Sequence, residues 1–150
     1  MTKLLFVCWG NICRSPMGER VARRMVAQRG LDVTVTSVGL SSEEVGNPID
    51  RRAVKVLAEA GYDASGHRAR RVTVADLQEA DLVVAAETMH LSRLRQLYPE
   101  GRYALLNDFN PELPPGTDLR DPWYGPASGF VETLADVEAA MPGILEALKN

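Results

Sequence analysis

Four short apolar runs, set apart by segments of helical period, leave this chain few ways to fold. Lys3 to Val7 (KLLFV) is β-prone, and Val33, Val35 and Val38, with Thr34 and Thr36 among them, make a second run. Asp81 to Ala86 (DLVVAA) reads as a buried third strand and Tyr103 to Leu106 (YALL) as a fourth. Between them lie helical stretches. One begins at Ser15-Pro16, with serine in the N-cap role and proline at the first helical position, runs to about Arg29 and stops at Gly30. Ile49, Ala53, Val56, Leu57 and Ala60 recur at helical spacing before Gly61, Thr73 to Glu79 has the form of a short capped helix, and Met89 to Leu97 ends at Tyr98-Pro99. A last helix lines up Phe130, Leu134, Val137, Met141, Ile144 or Leu145, and Leu148, with Pro142 as a kink.

Strands this apolar need cover on both faces, and right-handed crossovers place helices there. The expected fold is therefore α/β: a doubly wound, four-stranded parallel sheet flanked by helices on both faces. Ligands in such sheets sit beyond the carboxyl ends of the strands, which puts a binding loop directly after the first strand. The proline-rich stretch Asn107 to Ala127 is long for a compact unit, and loops of that length are usually functional.

With 150 residues, 45% of them apolar and 25% charged, the chain is expected to be one globular domain spanning residues 1–150. No apolar run approaches the length of a membrane span and nothing resembles a signal peptide, so the expected location is the cytoplasm, without membrane insertion. The net charge of −3 conceals an asymmetry, since residues 1–75 carry +5 and residues 76–150 carry −8. Most of the arginines read as solvated helix faces. An acidic chain without a basic stripe interleaved with aromatics is not a nucleic-acid binder.

The loop after the first strand is VCWGNICRSP, Val7 to Pro16, and it holds both cysteines of the chain. If Cys8 to Arg14 wraps around a point, inward-facing amides and the positive end of the following helix bind a tetrahedral dianion. Gly10 allows the turn, Asn11 tolerates a left-handed backbone and can brace the loop from within, and Arg14 can clamp two phosphoryl oxygens as a fork. A thiol at the foot of this cradle faces amides, the helix end, Arg14 and the Ser15 hydroxyl, all of which favour the thiolate. Such a thiolate can attack phosphorus and form a phosphocysteine. A poor leaving oxygen must then be protonated from the other side of the phosphorus. Asp108, Glu112, Asp118 and Asp121 are candidates, and Asp121 is favoured because Asp121-Pro122 fixes a turn and Trp123-Tyr124-Gly125 adds aromatic surface beside it. Asp118 and Glu112 read as solvated loop charges.

The loop Cys8-Trp9-Gly10-Asn11-Ile12-Cys13-Arg14-Ser15-Pro16, together with Asp121-Pro122-Trp123-Tyr124-Gly125, closely resembles the low-molecular-weight protein tyrosine phosphatases. The likeness covers almost the whole chain, including Gly66-His67-Arg68-Ala69-Arg70 and Gly46-x-Pro48-x-Asp50. The resemblance implies a cysteine-dependent, cofactor-free and metal-free phosphatase acting on phosphotyrosine and small aryl phosphates. It implies Cys8 as nucleophile, Arg14 as clamp, Ser15 as thiolate partner, and Asp121 first as acid and then as base toward water. Asn11 holds the loop with His67 behind it. The phosphoryl group would meet Trp9, Gly10, Asn11, Ile12, Cys13 and Arg14, with Trp123 and Tyr124 as one wall of the cleft. Expected partners are tyrosine-phosphorylated proteins, with phosphate, sulfate or vanadate as site ligands, met by a monomer or weak dimer.

Two departures from the family stand out. Where members often carry a Trp-His pair before the Val-Gly that matches Val45-Gly46, this chain has Glu43-Glu44, so the facing wall is expected to be acidic and to prefer basic residues beside the phosphotyrosine. Trp9 occupies a position commonly held by a smaller residue and could supply the missing ring. Cys13 either packs against the loop or forms a reversible disulfide with Cys8 under peroxide. His67 reads as a hydrogen-bonded structural histidine and His90 as a helix-surface residue, and neither has ligand-spaced neighbours for a metal. The rival activities are phosphoarginine hydrolysis, which the apolar Ile12 disfavours, and arsenate reduction, which lacks the further cysteines it needs.

Overall fold

The computed structural model describes residues 2–149. Strands β1 (Thr2–Cys8), β2 (Val33–Gly39), β3 (Leu82–Ala85) and β4 (Tyr103–Leu105) form one parallel sheet in the order β2-β1-β3-β4. Five α-helices alternate with them: α1 (Arg14–Arg29), α2 (Arg51–Glu59), α3 (Val74–Glu79), α4 (Thr88–Leu97) and α5 (Ser128–Ala147). The doubly wound sheet expected from the apolar runs is the one observed.

Alternation along β1 splits the core in two. Leu4, Phe6 and Cys8 join α1 and α5 residues such as Met17, Val21, Phe130, Val137 and Met141 in one cluster. Leu5 and Val7 face the other way, with Leu77 of α3 and Leu91 and Leu94 of α4. Leu4 to Cys8 are therefore all buried, and an unbroken apolar run marks a strand covered on both sides. Helix α1 lies close against β1, since a Cβ at Gly18 would come within 2.8 Å of the Phe6 ring. Its C-terminus closes at Gly30 (φ 62°), with the Leu31 amide donating to the Val26 carbonyl.

Two local expectations need correction. Helix α1 starts at Arg14 with Cys13 in the N-cap position, so Ser15-Pro16 is not its cap and first residue but lies within its first turn. Proline is harmless there because the amides of the first turn have no intrahelical acceptor. The Ser15 hydroxyl is spent on Cys8 instead. The stretch Asn107 to Ala127 contains two 3₁₀ turns, Leu106–Phe109 overlapping its start and Pro122–Tyr124 near its end. Pro142 lies inside α5, which runs past it to Ala147.

From β1 the chain crosses to β2 on one side, while β3 pairs with β1 on the other. The segments that leave β1 and β3 therefore part at the carboxyl edge and open a crevice between them. The loop of residues 9–13 and the β3–α4 junction at Ala86 and Glu87 flank it.

Candidate active site

Cys8 ends β1 at the floor of the crevice, 3% exposed, with its Sγ 3.0 Å from the Ser15 Oγ. Asn11 determines which way that hydroxyl points. Its two amide hydrogens go to Ser15 Oγ at 2.8 Å and Ser37 Oγ at 3.0 Å, and its Oδ1 accepts the Arg70 backbone N–H at 3.1 Å. Because Ser15 Oγ already accepts from Asn11, its own hydrogen is left for the sulfur. Asn11 is the one non-glycine among the described residues with positive φ, 61°, which turns its amide back under the loop.

The chain of bonds continues behind the loop. Ser37 of β2 donates to Glu19 Oε1 at 2.9 Å, and the Glu19 carboxylate, buried at 4% exposure, is held by Arg20 Nε at 2.8 Å. His67 Nε2 lies 2.7 Å from the Asn11 carbonyl oxygen, and the Asp50 amide donates to the Ile12 carbonyl at 2.9 Å. Burial pushes the His67 imidazole below its ordinary pKa, against the opposing effect of the Asn11 carbonyl. A neutral ring donating to that carbonyl fits both facts.

At the other end of the loop Arg14, 3% exposed, donates through Nη1 to Glu87 Oε2 at 2.6 Å and to the Leu119 carbonyl at 2.8 Å. Both Nη1 hydrogens are thereby used. Nε and Nη2 keep their hydrogens, a fork suited to two oxygens of a phosphoryl group, and Arg14 is among the residues lining the crevice. Asp121 Oδ2 stands 3.6 Å from Nη2, while Asp121 Oδ1 accepts the Trp123 amide at 3.0 Å. Cys8, Trp9, Gly10, Ile12, Cys13 and Arg14 line a cleft of about 150 Å³ together with Asp121, Trp123, Tyr124, Glu43 and Glu44.

The model of the family described as low molecular weight phosphotyrosine protein phosphatase matches residues 3–150. The chain belongs to this family. It is 44% identical over 145 residues to low molecular weight protein-tyrosine phosphatase A of Mycobacterium tuberculosis, covering 93% of this chain and 86% of that one. A Streptomyces coelicolor low molecular weight protein-tyrosine-phosphatase is 42% identical over 155 residues, with 99% and 94% covered. Among solved structures, a protein tyrosine phosphatase from Entamoeba histolytica with Hepes in its active site superposes with a TM-score of 0.92 at 29% identity, covering 99% of this chain and 97% of that one.

The walls of this phosphatase cleft are pinned from outside. The Arg52 guanidinium lies 5.1 Å from the Trp123 ring and 4.6 Å from the Phe130 ring, and is tied to Asp50 by hydrogen bonds of 3.1 and 3.2 Å. Arg93 of α4 sits 5.6 Å from the Trp9 ring. Tyr124 has no such brace and is 87% exposed. Cys13 is buried, and burial together with the Asp50 carboxylate pushes its thiol far above the ordinary range.

His90 is not a surface residue. It is fully buried, because α4 turns the face bearing Leu91 and Leu94 toward the sheet and His90 precedes Leu94 by one helical turn. Burial, then the Arg14 guanidinium, pushes its pKa down to about 4, only partly opposed by Glu87. Asp118 is exposed but anchored, accepting the Thr88 amide at 2.8 Å at the start of α4, and Glu112 is exposed. The sequence reading missed Glu87, Ser37, Glu19 and Arg52. For Glu87 a signal existed, an acid one residue beyond an apolar strand, where α/β ligand sites lie.

Proposed function

We propose that residues 1–150 act as one phosphatase domain that hydrolyses phosphotyrosine and small aryl phosphates through a phosphocysteine. The observation that carries this is the pairing of Cys8 Sγ with the Ser15 hydroxyl at 3.0 Å in a cleft that the buried Arg14 also lines. In the first step the Cys8 sulfur attacks phosphorus in line. The S–P bond forms as the P–O bond to the aryl group breaks, and Asp121 gives its proton to the departing oxygen. In the second step a water attacks phosphorus, Asp121 takes a proton from it, and the S–P bond breaks to release phosphate. Arg14 and the loop amides hold the equatorial oxygens throughout.

Ile12 lines the cleft, and its apolar side chain favours an aromatic phosphoester over phosphoarginine. Arsenate reduction would require further cysteines, and the chain has none after Cys13. Glu43 and Glu44 on one wall support a preference for basic residues next to the phosphotyrosine. Cys13 beside the nucleophile supports a reversible Cys8–Cys13 disulfide in which an oxidant such as peroxide takes up the two electrons and the thiol protons. The partners are then tyrosine-phosphorylated proteins, met in the cytoplasm by a monomer or weak dimer, and phosphate, sulfate and vanadate share the cradle.

Cys8→Ser tests the core of this reading. The variant is expected to keep binding inorganic phosphate and vanadate while losing steady turnover of an aryl phosphate. Turnover at the wild-type rate would rule out the covalent route.

A further inference from the structure

His90 has chemistry that the reaction just described does not use. Its ring is fully buried, and the Glu87 backbone N–H donates to its Nδ1 at 3.2 Å. A nitrogen that accepts a hydrogen bond carries no proton, so the neutral ring is the Nε2–H tautomer. That Nε2 has no hydrogen-bond partner among the described residues, and Glu87 Oε2 lies 3.7 Å from it. The same carboxylate oxygen holds Arg14 Nη1 at 2.6 Å. One residue thus accepts from the backbone of Glu87 and lies beside its carboxylate, the same carboxylate that holds Arg14.

We propose that His90 is a positioning residue for the phosphate clamp, acting through Glu87 to hold the Arg14 fork at the angle a phosphoryl group requires. The proposal rests on the phosphatase reading above and adds a residue that touches neither substrate nor the reacting atoms. Glu87 is the first residue before α4, and a reciprocal cap joins it to His90. A neutral imidazole suits the role. A cation there would draw the carboxylate from Arg14 and place a second positive charge beside the guanidinium. The other charges acting on the ring are Asp118 and Asp121, from the loop that also supplies the Leu119 carbonyl to Arg14.

A double-mutant cycle over His90→Leu and Glu87→Gln tests this, read by the competitive inhibition constant of inorganic phosphate and by kcat/KM for an aryl phosphate. His90→Leu is expected to weaken phosphate inhibition about tenfold, the coupling typical of one hydrogen-bond network, and to lower kcat/KM by a similar factor. In the Glu87→Gln background the same substitution is expected to cost less than about threefold, because the route through the carboxylate is already broken. A single-variant effect below about threefold, or an effect of threefold or more in that background, overturns the proposal. If His90→Leu does not fold, His90→Asn enters the same cycle under the same thresholds.

Histidine ¹⁵N spectra of the wild type give an independent readout. They should show His90 protonated on Nε2 near neutral pH, and protonation on Nδ1 overturns the proposal. Failure of the phosphatase reading itself would be recognised separately, by a wild-type protein that neither turns over the aryl phosphate nor is inhibited by phosphate.

Discussion

Acid should destabilise this protein through His90 before most of its carboxylates titrate. Buried beside Arg14, the ring is pushed from an ordinary value of 6.5 to about 4 in the fold. An unfolded chain regains the ordinary value, so between these limits the unfolded state binds a proton that the folded state refuses. Stability then rises with pH across that window. The contribution is complete above about pH 6.5 and disappears as pH falls toward about 4. By proton linkage the loss between pH 7 and pH 5 is about 2 kcal/mol, a large fraction of a typical domain stability.

His67 is shifted in the same direction, and Asp50 and Asp76 are held below the ordinary carboxylate value mainly by hydrogen bonds from Arg52 and Arg70 that outweigh the opposing effect of burial. All three add acid sensitivity of the same sign, so the wild-type curve alone cannot isolate His90. The comparison with His90→Asn does, because groups common to both proteins cancel. Urea unfolding of each protein at a series of pH values provides the measurement. The two stabilities should converge by about 2 kcal/mol from pH 7 to pH 5 as the wild type loses what the variant never had. Parallel curves would refute the claim that a neutral buried imidazole sits behind Arg14.

Asn11→Ala should destabilise the fold by about 3 kcal/mol, about 1 from an alanine forced into the left-handed region and about 1 for each of two buried hydrogen bonds, as thermal unfolding would show. Asp121→Asn should lower kcat by about 10²–10⁴-fold on phenyl phosphates with poor leaving groups and far less on activated ones; an equal loss across a leaving-group series would assign the acid elsewhere. Glu43→Gln should narrow the preference for phosphopeptides with basic flanks over acidic ones, measured as the ratio of kcat/KM, and an unchanged ratio removes the acidic wall from specificity. Cys13→Ala should recover less activity than wild type when peroxide treatment is followed by a thiol reductant, and equal recovery would leave Cys13 with a packing role alone.

The sheet could be read from the chain because strands covered on both faces are nearly continuous apolar runs, as Leu4 to Cys8 and Leu82 to Ala85 are. Helix ends were less legible where tertiary chemistry overrode local preference. Ser15-Pro16 has the form of a helix start, yet the chain enters α1 at Arg14 and the Ser15 hydroxyl bonds the Cys8 sulfur across the loop, not a helix amide. His90 has the polarity of a surface residue, and only the helical period indicates its burial. It lies one turn before Leu94, on the face that α4 presents to the sheet. Glu87 and Ser37 could not be connected to the loop without strand order, since no local pattern says that β3 and β2 are the two neighbours of β1.

That order also accounts for how one short loop meets two opposite electrostatic demands. The sulfur proposed to attack phosphorus needs donors around it, and the β2 side supplies them: the Ser15 hydroxyl is oriented by Asn11, which is itself tied to Ser37. A buried guanidinium needs acceptors, and the side next to β3 supplies Glu87 and the Leu119 carbonyl. Exchanging the two supports would place carboxylate beside sulfur and hydroxyl beside arginine, leaving the proposed nucleophile facing a negative charge and the buried guanidinium without a counter-charge. Because β1 lies between β2 and β3, Cys8 at its end and Arg14 at the start of α1 each reach the partner of the right sign. The strand order is thus a condition for the proposed chemistry as well as for the packing of the core.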